Sequence, residues 1–118
     1  MLSIIIPVYN EVQTIEKIVL KIKKIKDIKK QIIIVDDGST DGTSEKLKKI
    51  KSKFKIDKII FNKKNKGKGY AIKLAQKKIS QKFTIIQDAD LEYNPKDYQL
   101  IFYQMFLIPH LYQIDLST

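Results

Sequence analysis

The sequence predicts an α/β fold in which a mostly parallel sheet carries helices on both faces. Three observations lead there. Short segments at 2–8, 31–35, 55–61 and 83–87 are dense in Ile, Val and Phe, the pattern of strands buried on both sides. Between them, apolar residues recur at helical spacing against lysine-rich opposite faces, as in helices that cover a sheet. Strand and helix alternate throughout, which argues for right-handed crossovers and a layered architecture.

Taken in order, residues 2–8 (LSIIIPV) form the first strand, with Pro7 at its end where no ladder donor is needed. Asn10 suits a helix N-cap and Glu11 a positive helix start. Ile15, Ile18, Val19, Ile22 and Ile25 then define the inner face of the first helix. Residues 31–35 (QIIIV) are the second strand, delivering the turn-rich loop DDGSTDGT at 36–43. A second helix is expected over 43–54, with Leu47, Ile50 and Phe54 turned inward. A third strand is expected over 55–61. The lysine- and glycine-rich loop at 62–69 enters a helix whose inner face is Ala71, Ile72, Ala75 and Ile79. Residues 83–87 are the fourth strand. Pro95 fits the first turn of a further helix reaching to about 108.

Composition narrows the function classes. The 118 residues suffice for one domain, and no repeat, linker or low-complexity stretch divides them. The net charge of +10 permits nucleic acid, an anionic membrane face or phosphorylated small molecules as partners. All 23 basic residues are lysine, which argues against a dedicated nucleic-acid reader because bidentate base and phosphate contacts favour arginine. Cysteine is absent, which excludes a disulfide framework and thiolate metal sites. The N-terminus lacks the form of a signal peptide, and no apolar run is long enough to span a bilayer. A cytoplasmic location is the expectation.

In open parallel sheets, ligands sit beyond the carboxyl ends of the strands, where the strand order switches. Glu11, the pair Asp36 and Asp37, and the pair Asp88 and Asp90 all follow strand ends, so three separate loops place carboxylates at one rim. Residues i and i+2 of an extended chain point the same way. Asp88 and Asp90 can therefore converge on one cation, with Glu92 as a third oxygen donor. A hard ion such as Mg²⁺ takes few carboxylates and fills its shell with water and substrate phosphates. From these residues alone an Asp-rich turn, with Asp90 near a helix start, stands as the alternative. Gly67-Lys68-Gly69 is not a P-loop, since the GxxxxGK[ST] spacing fails.

Four segments, IIIPVYNE (4–11), VDDGSTDGT (35–43), NKGKGYA (65–71) and QDADLEYNP (87–95), resemble the family 2 glycosyltransferases of GT-A fold. The last is most similar to the branch that loads sugars onto polyprenyl phosphates, the dolichol-phosphate mannose synthase type. The resemblance implies a Rossmann-like, nucleotide-sugar-binding half. By it, Pro7, Tyr9 and Glu11 pack on the nucleoside, and Val35 and Asp37 recognise the base. Asp88, Ala89 and Asp90 form the DxD motif that grips the donor diphosphate through Mg²⁺ or Mn²⁺, with Asp88 and Asp90 the catalytic pair. Glu92 completes the metal shell. Lys66 and Lys68 lie near the donor phosphates. Asp36 and Asp41 are expected only to brace their loop.

The implied reaction moves a hexose from a GDP- or UDP-sugar to a polyprenyl phosphate, with inversion, at the inner face of a membrane. The phosphate acceptor is already anionic near neutral pH, so no general base is needed. One domain spanning 1–118 is expected, family-like over 2–100 with an atypical apolar tail at 98–118. Relatives of this kind continue well past this length. A truncated N-terminal donor-binding half is therefore expected, one that binds nucleotide yet turns over little or no sugar. The apolar tail can lie on a membrane or pair with another copy. The rival reading is a non-catalytic basic module for nucleic acid or anionic membrane.

Overall fold

A computed structural model describes residues 2–26, 28–81 and 83–89. In chain order these form β1 (Leu2–Val8), α1 (Ile15–Lys23), β2 (Lys30–Asp37), α2 (Thr43–Lys53), β3 (Lys58–Asn62), α3 (Lys68–Gln76) and β4 (Phe83–Ile86). The strands make one parallel sheet in the order β3-β2-β1-β4. The chain winds outward from β1 through β2 to β3, then returns to lay β4 on the other side of β1. The switch in strand order thus falls between β1 and β4.

Alternation along the strands divides the core into two layers. Ile4, Ile6, Ile32 and Ile34 pack with Ile15, Ile18, Val19 and Ile22 of α1 and with Leu47 and Ile50 of α2. On the opposite face Ile5, Ile33 and Val35 pack with Ala71 and Ala75 of α3. The small side chains of α3 let its backbone lie close to the sheet. Each isoleucine taken wholly from water contributes about 1.5–3 kcal/mol, so a two-sided sheet is the best use of so many. Pro7 sits in β1 opposite Val35 of β2. Its missing N–H would face the β4 side, as the Ile5 carbonyl does in accepting Gln87 N–H at 2.9 Å, and the β1–β4 register ends at Ile5 and Ile86. The ladder therefore loses nothing.

Several boundaries differ from the sequence expectation. β2 runs from Lys30 to Asp37 rather than over 31–35, because its ladders continue through Val8 with Asp36 and through Asp37 with Asn62. Asp36 and Asp37 therefore end the strand instead of opening the loop. Asn10 does not cap α1: it adopts a left-handed backbone with φ of 54°, and its side chain accepts the Thr40 N–H at 2.8 Å. Thr14 is the N-cap residue instead, after a turn in which Glu11 C=O accepts from Thr14 and Ile15. β3 starts at Lys58 rather than 55, because Lys55 takes φ of 52° and Ile56 N–H turns back to the Lys51 carbonyl, a helix-ending turn. α3 starts at Lys68, inside the segment expected to be loop. The helix expected from Pro95 and the apolar tail at 98–118 lie outside the described residues. No helix among the described residues is long and apolar enough to cross a membrane.

Candidate functional site

A cleft of about 230 Å³ opens over the carboxyl ends of β1 and β4, at the switch point. The end of β1 and its loop line it with Pro7, Val8, Tyr9 and Glu11, and β2 contributes Asp37. Asn65 and Gly67 precede α3, and Lys68 and Ala71 belong to its first turn. Asp88 and Ala89 close the cleft from the end of β4.

Asp36 and Asp37 go separate ways, as successive residues of a strand must. Asp36 faces α2, where it accepts from the Ser44 hydroxyl and from Ser39 N–H. Asp37 faces α3 and is only 4% exposed. Its Oδ1 accepts Lys66 N–H at 2.9 Å and the Asn62 side-chain amide at 3.2 Å, and its Oδ2 accepts Gly67 N–H at 2.7 Å. A carboxylate offers about four acceptor positions, so three are spent on shaping the 62–67 loop. The loop in turn lies hard against Gly38.

Asp88 extends the line of β4. Gln87, fully buried, donates its side-chain amide to the Asp88 carbonyl at 2.9 Å, and its own N–H keeps the ladder to Ile5. The Asp88 carboxylate is half-exposed and pairs with Lys68, Nζ to Oδ1 at 2.5 Å. Screening by solvent keeps such a pair to about 0–1 kcal/mol of stability. Its interest lies in position rather than strength.

The β1 loop is tied down from both sides. Asn10 N–H donates to Ser39 Oγ at 2.9 Å, and Glu11 N–H to Thr43 Oγ1 at 3.0 Å. The Thr14 hydroxyl lies 3.0 Å from Glu11 Oε2 and 2.5 Å from the Ala89 carbonyl, so its single proton joins the β1 loop to the β4 loop. Asp41 accepts Thr43 N–H, the Thr43 hydroxyl and Val12 N–H. Burial tends to raise the Asp41 pKa, but these hydrogen bonds outweigh it and hold the carboxyl below the ordinary value. Asp36 and Asp41 therefore brace the loop, in keeping with the sequence.

Of the sequence-derived residues, Pro7, Tyr9, Glu11, Asp37, Asp88 and Ala89 meet in one cleft. Val35 does not line it. Its side chain is fully buried in the core layer beneath α3. Asp90 and Glu92 lie outside the described residues. Sequence reasoning passed over Asn65 and Thr14. Asn65 opens the NKGKGYA segment and was open to detection there. Thr14 carried no signal, since its partners are set by packing between distant loops.

Comparison with known proteins fits this geometry. The family model for glycosyl transferase family 2 matches residues 3–106. A dolichol-phosphate mannosyltransferase of Pyrococcus furiosus is 35% identical over 95 residues, which cover 80% of this chain and 27% of that protein. A poly-beta-1,6-N-acetyl-D-glucosamine synthase of Staphylococcus aureus is 36% identical over 90 residues, 75% of this chain and 21% of that one. The chain thus spans about a quarter of the length of these relatives. Among solved structures, the mannosyltransferase PcManGT from Pyrobaculum calidifontis, in complex with GDP-Man and Mn²⁺, superposes with a TM-score of 0.74 at 24% identity. That match covers 83% of this chain and 30% of PcManGT. Residues 1–349 of S. aureus TarS, in complex with UDP-GlcNAc, give 0.71 at 23% identity over 90% of this chain and 31% of TarS. These likenesses establish the Rossmann-like GT-A fold. With its parallel sheet, its switch-point cleft and a family match over most of its length, this chain belongs to glycosyl transferase family 2.

Proposed function

We propose that this chain forms the donor-binding part of an inverting, metal-dependent glycosyltransferase, moving a hexose from a GDP- or UDP-sugar to a polyprenyl phosphate at the inner face of a membrane. One observation carries the reading: the loops after β1 and β4, the last residue of β2 and the start of α3 meet in a single cleft at the switch point. Tyr9, 45% exposed, offers a ring for a nucleoside to pack on, beside Pro7. The carboxylates of Glu11 and Asp37 accept from ribose hydroxyl and base N–H groups. Val35 supports this wall from beneath, in the core layer under α3.

The residues present suit a hard divalent cation. Asp88 sets a half-exposed carboxylate on the cleft wall. Among the described residues no group of three or more His, Cys, Asp or Glu side chains gathers to cage a metal. One or two carboxylates suffice where substrate phosphates and water fill the shell. Asp90 and Glu92 are the proposed companions of Asp88, as the likeness of the QDADLE segment to the DxD motif implies. Mg²⁺ or Mn²⁺, when bound, offsets the charge that gathers on the departing nucleoside diphosphate. The chain's own residues orient the donor with its anomeric carbon open to a lipid phosphate on the far face.

Thermal unfolding of the 118-residue chain with a panel of nucleoside diphosphates, in Mn²⁺ or in EDTA, tests this. GDP or UDP is expected to stabilise the chain in Mn²⁺, by about 2.7 kcal/mol at a hundred times its Kd, and far less in EDTA. Asp88→Ala and Asp90→Ala should lose the metal-dependent part while keeping the fold. Salt-sensitive affinity for an oligonucleotide or anionic vesicle, indifferent to EDTA and unaccompanied by nucleotide stabilisation, points instead to a basic binding module.

A further inference from the structure

The Lys68 ammonium lies 2.5 Å from Asp88 Oδ1, on the carboxylate proposed to hold the cation. We infer that Lys68 is an internal stand-in for the divalent ion: it occupies Asp88 in the nucleotide-free protein and couples metal binding to diphosphate binding. The inference rests on the metal-dependent reading of the cleft given above.

Both partners are placed by backbone contacts from separate elements. Asp88 follows Gln87, whose N–H holds the β1 ladder. Lys68 is the first residue of α3, and the two residues before it are clamped by their N–H groups to Asp37. A lysine head is a compact charge with three donors and no acceptor. At a single carboxylate it therefore meets the same electrostatic need as a metal ion. A divalent ion arriving while the ammonium is in place meets a like charge at short range, which disfavours it.

The way out lies within the same cleft. Lys68 has a long, half-exposed side chain on the cleft wall, and a metal-bound diphosphate brings anionic oxygens beside Asp88. When the diphosphate binds, Lys68 exchanges a carboxylate for a phosphate oxygen and Asp88 is left to the ion. Metal and nucleotide then strengthen each other's binding by the same factor, as linkage requires. The arrangement keeps divalent ions from filling the empty site.

Mn²⁺ titration of the 118-residue chain, read by the electron paramagnetic resonance signal of free Mn²⁺ with and without GDP or UDP, tests the inference. Lys68→Gln is expected to tighten Mn²⁺ binding without nucleotide by about two- to fivefold, the upper range for a screened ion pair. It should also shrink the factor by which nucleotide strengthens Mn²⁺ binding. Lys68→Arg keeps the charge and should behave like the parent. Asp88→Asn should lose Mn²⁺ affinity in both conditions. If Asp88→Asn loses it but Lys68→Gln leaves nucleotide-free affinity unchanged or weaker, the Lys68 inference alone is overturned. Equal tightening by Gln and Arg overturns it as well, since charge is then not the cause. If Asp88→Asn binds Mn²⁺ like the parent, the metal reading fails and takes this inference with it.

Discussion

Gly67 donates its backbone N–H to the Asp37 carboxylate at 2.7 Å, joining residues thirty apart in sequence. The end of β2 and the entry to α3 are thereby one unit, and the cleft between them and β4 takes its shape from that bond.

Removing the Asp37 carboxylate should cost both stability and binding. In Asp37→Ala the N–H groups of Lys66 and Gly67 and the Asn62 amide lose their acceptor, a penalty of about 1–3 kcal/mol. Asp37→Asn is expected to do little better, because its amide NH₂ would face donors on one side. Urea unfolding should show both variants destabilised, and hydrogen exchange should show a less protected Gly67 amide. An Asn variant as stable as the parent contradicts the assignment.

Two glycines of this unit should respond differently to alanine. Gly67 has φ of 98° and ψ of 159°, a region open in practice only to glycine, and an added Cβ there meets nothing within 4 Å. Gly67→Ala should therefore cost about 1–3 kcal/mol from backbone strain alone. Gly38 combines φ of 77° with a Cβ position 2.6 Å from backbone atoms of both Lys64 and Asn65. Gly38→Ala must force the 62–67 loop away from β2. It should be the more destabilised in denaturant titration and should lose nucleotide-induced stabilisation, which Gly67→Ala retains in part.

Thr14 should matter to the cleft without lining it. Thr14→Val keeps the shape and removes the hydroxyl that serves Ala89 C=O and Glu11. A loss of about 0.5–1.5 kcal/mol is expected for the hydrogen bond, together with weaker GDP or UDP binding as the β4 loop loosens from the β1 loop. Calorimetric titration checks the second effect. Thr14→Ser should restore most of it.

Acid should act through Asp41. Its folded-state pKa lies below the ordinary value of 3.8, so the folded protein binds fewer protons than the unfolded chain in that range. The stabilisation is fully present above the unfolded pKa and fades as pH falls through the depressed folded value. Unfolding of parent and Asp41→Asn from pH 7 down to about pH 2 should therefore show a gap that closes below about pH 4. A gap that widens with acid reverses the sign and refutes the assignment.

The amino-acid sequence by itself determined the sheet, the approximate positions of its strands and the family. Runs such as SIIIPV and QIIIV are too apolar to leave either face in water, so a parallel sheet covered on both sides is close to obligatory, and polar loops must fall where the runs stop. Local chemistry of that kind is written in consecutive residues. Only the tertiary structure decided what each loop residue does once there. Asn10 has the makings of a helix cap yet braces Thr40 across the rim. Val35 sits two residues from Asp37 in a recognisable motif but spends its side chain on the core beneath α3. The pairing of Lys68 with Asp88 and the grip of Asp37 on Gly67 join residues 20 and 30 positions apart. Contacts of that range depend on how layers stack and in what order strands lie, and periodicity along the chain carries no record of either.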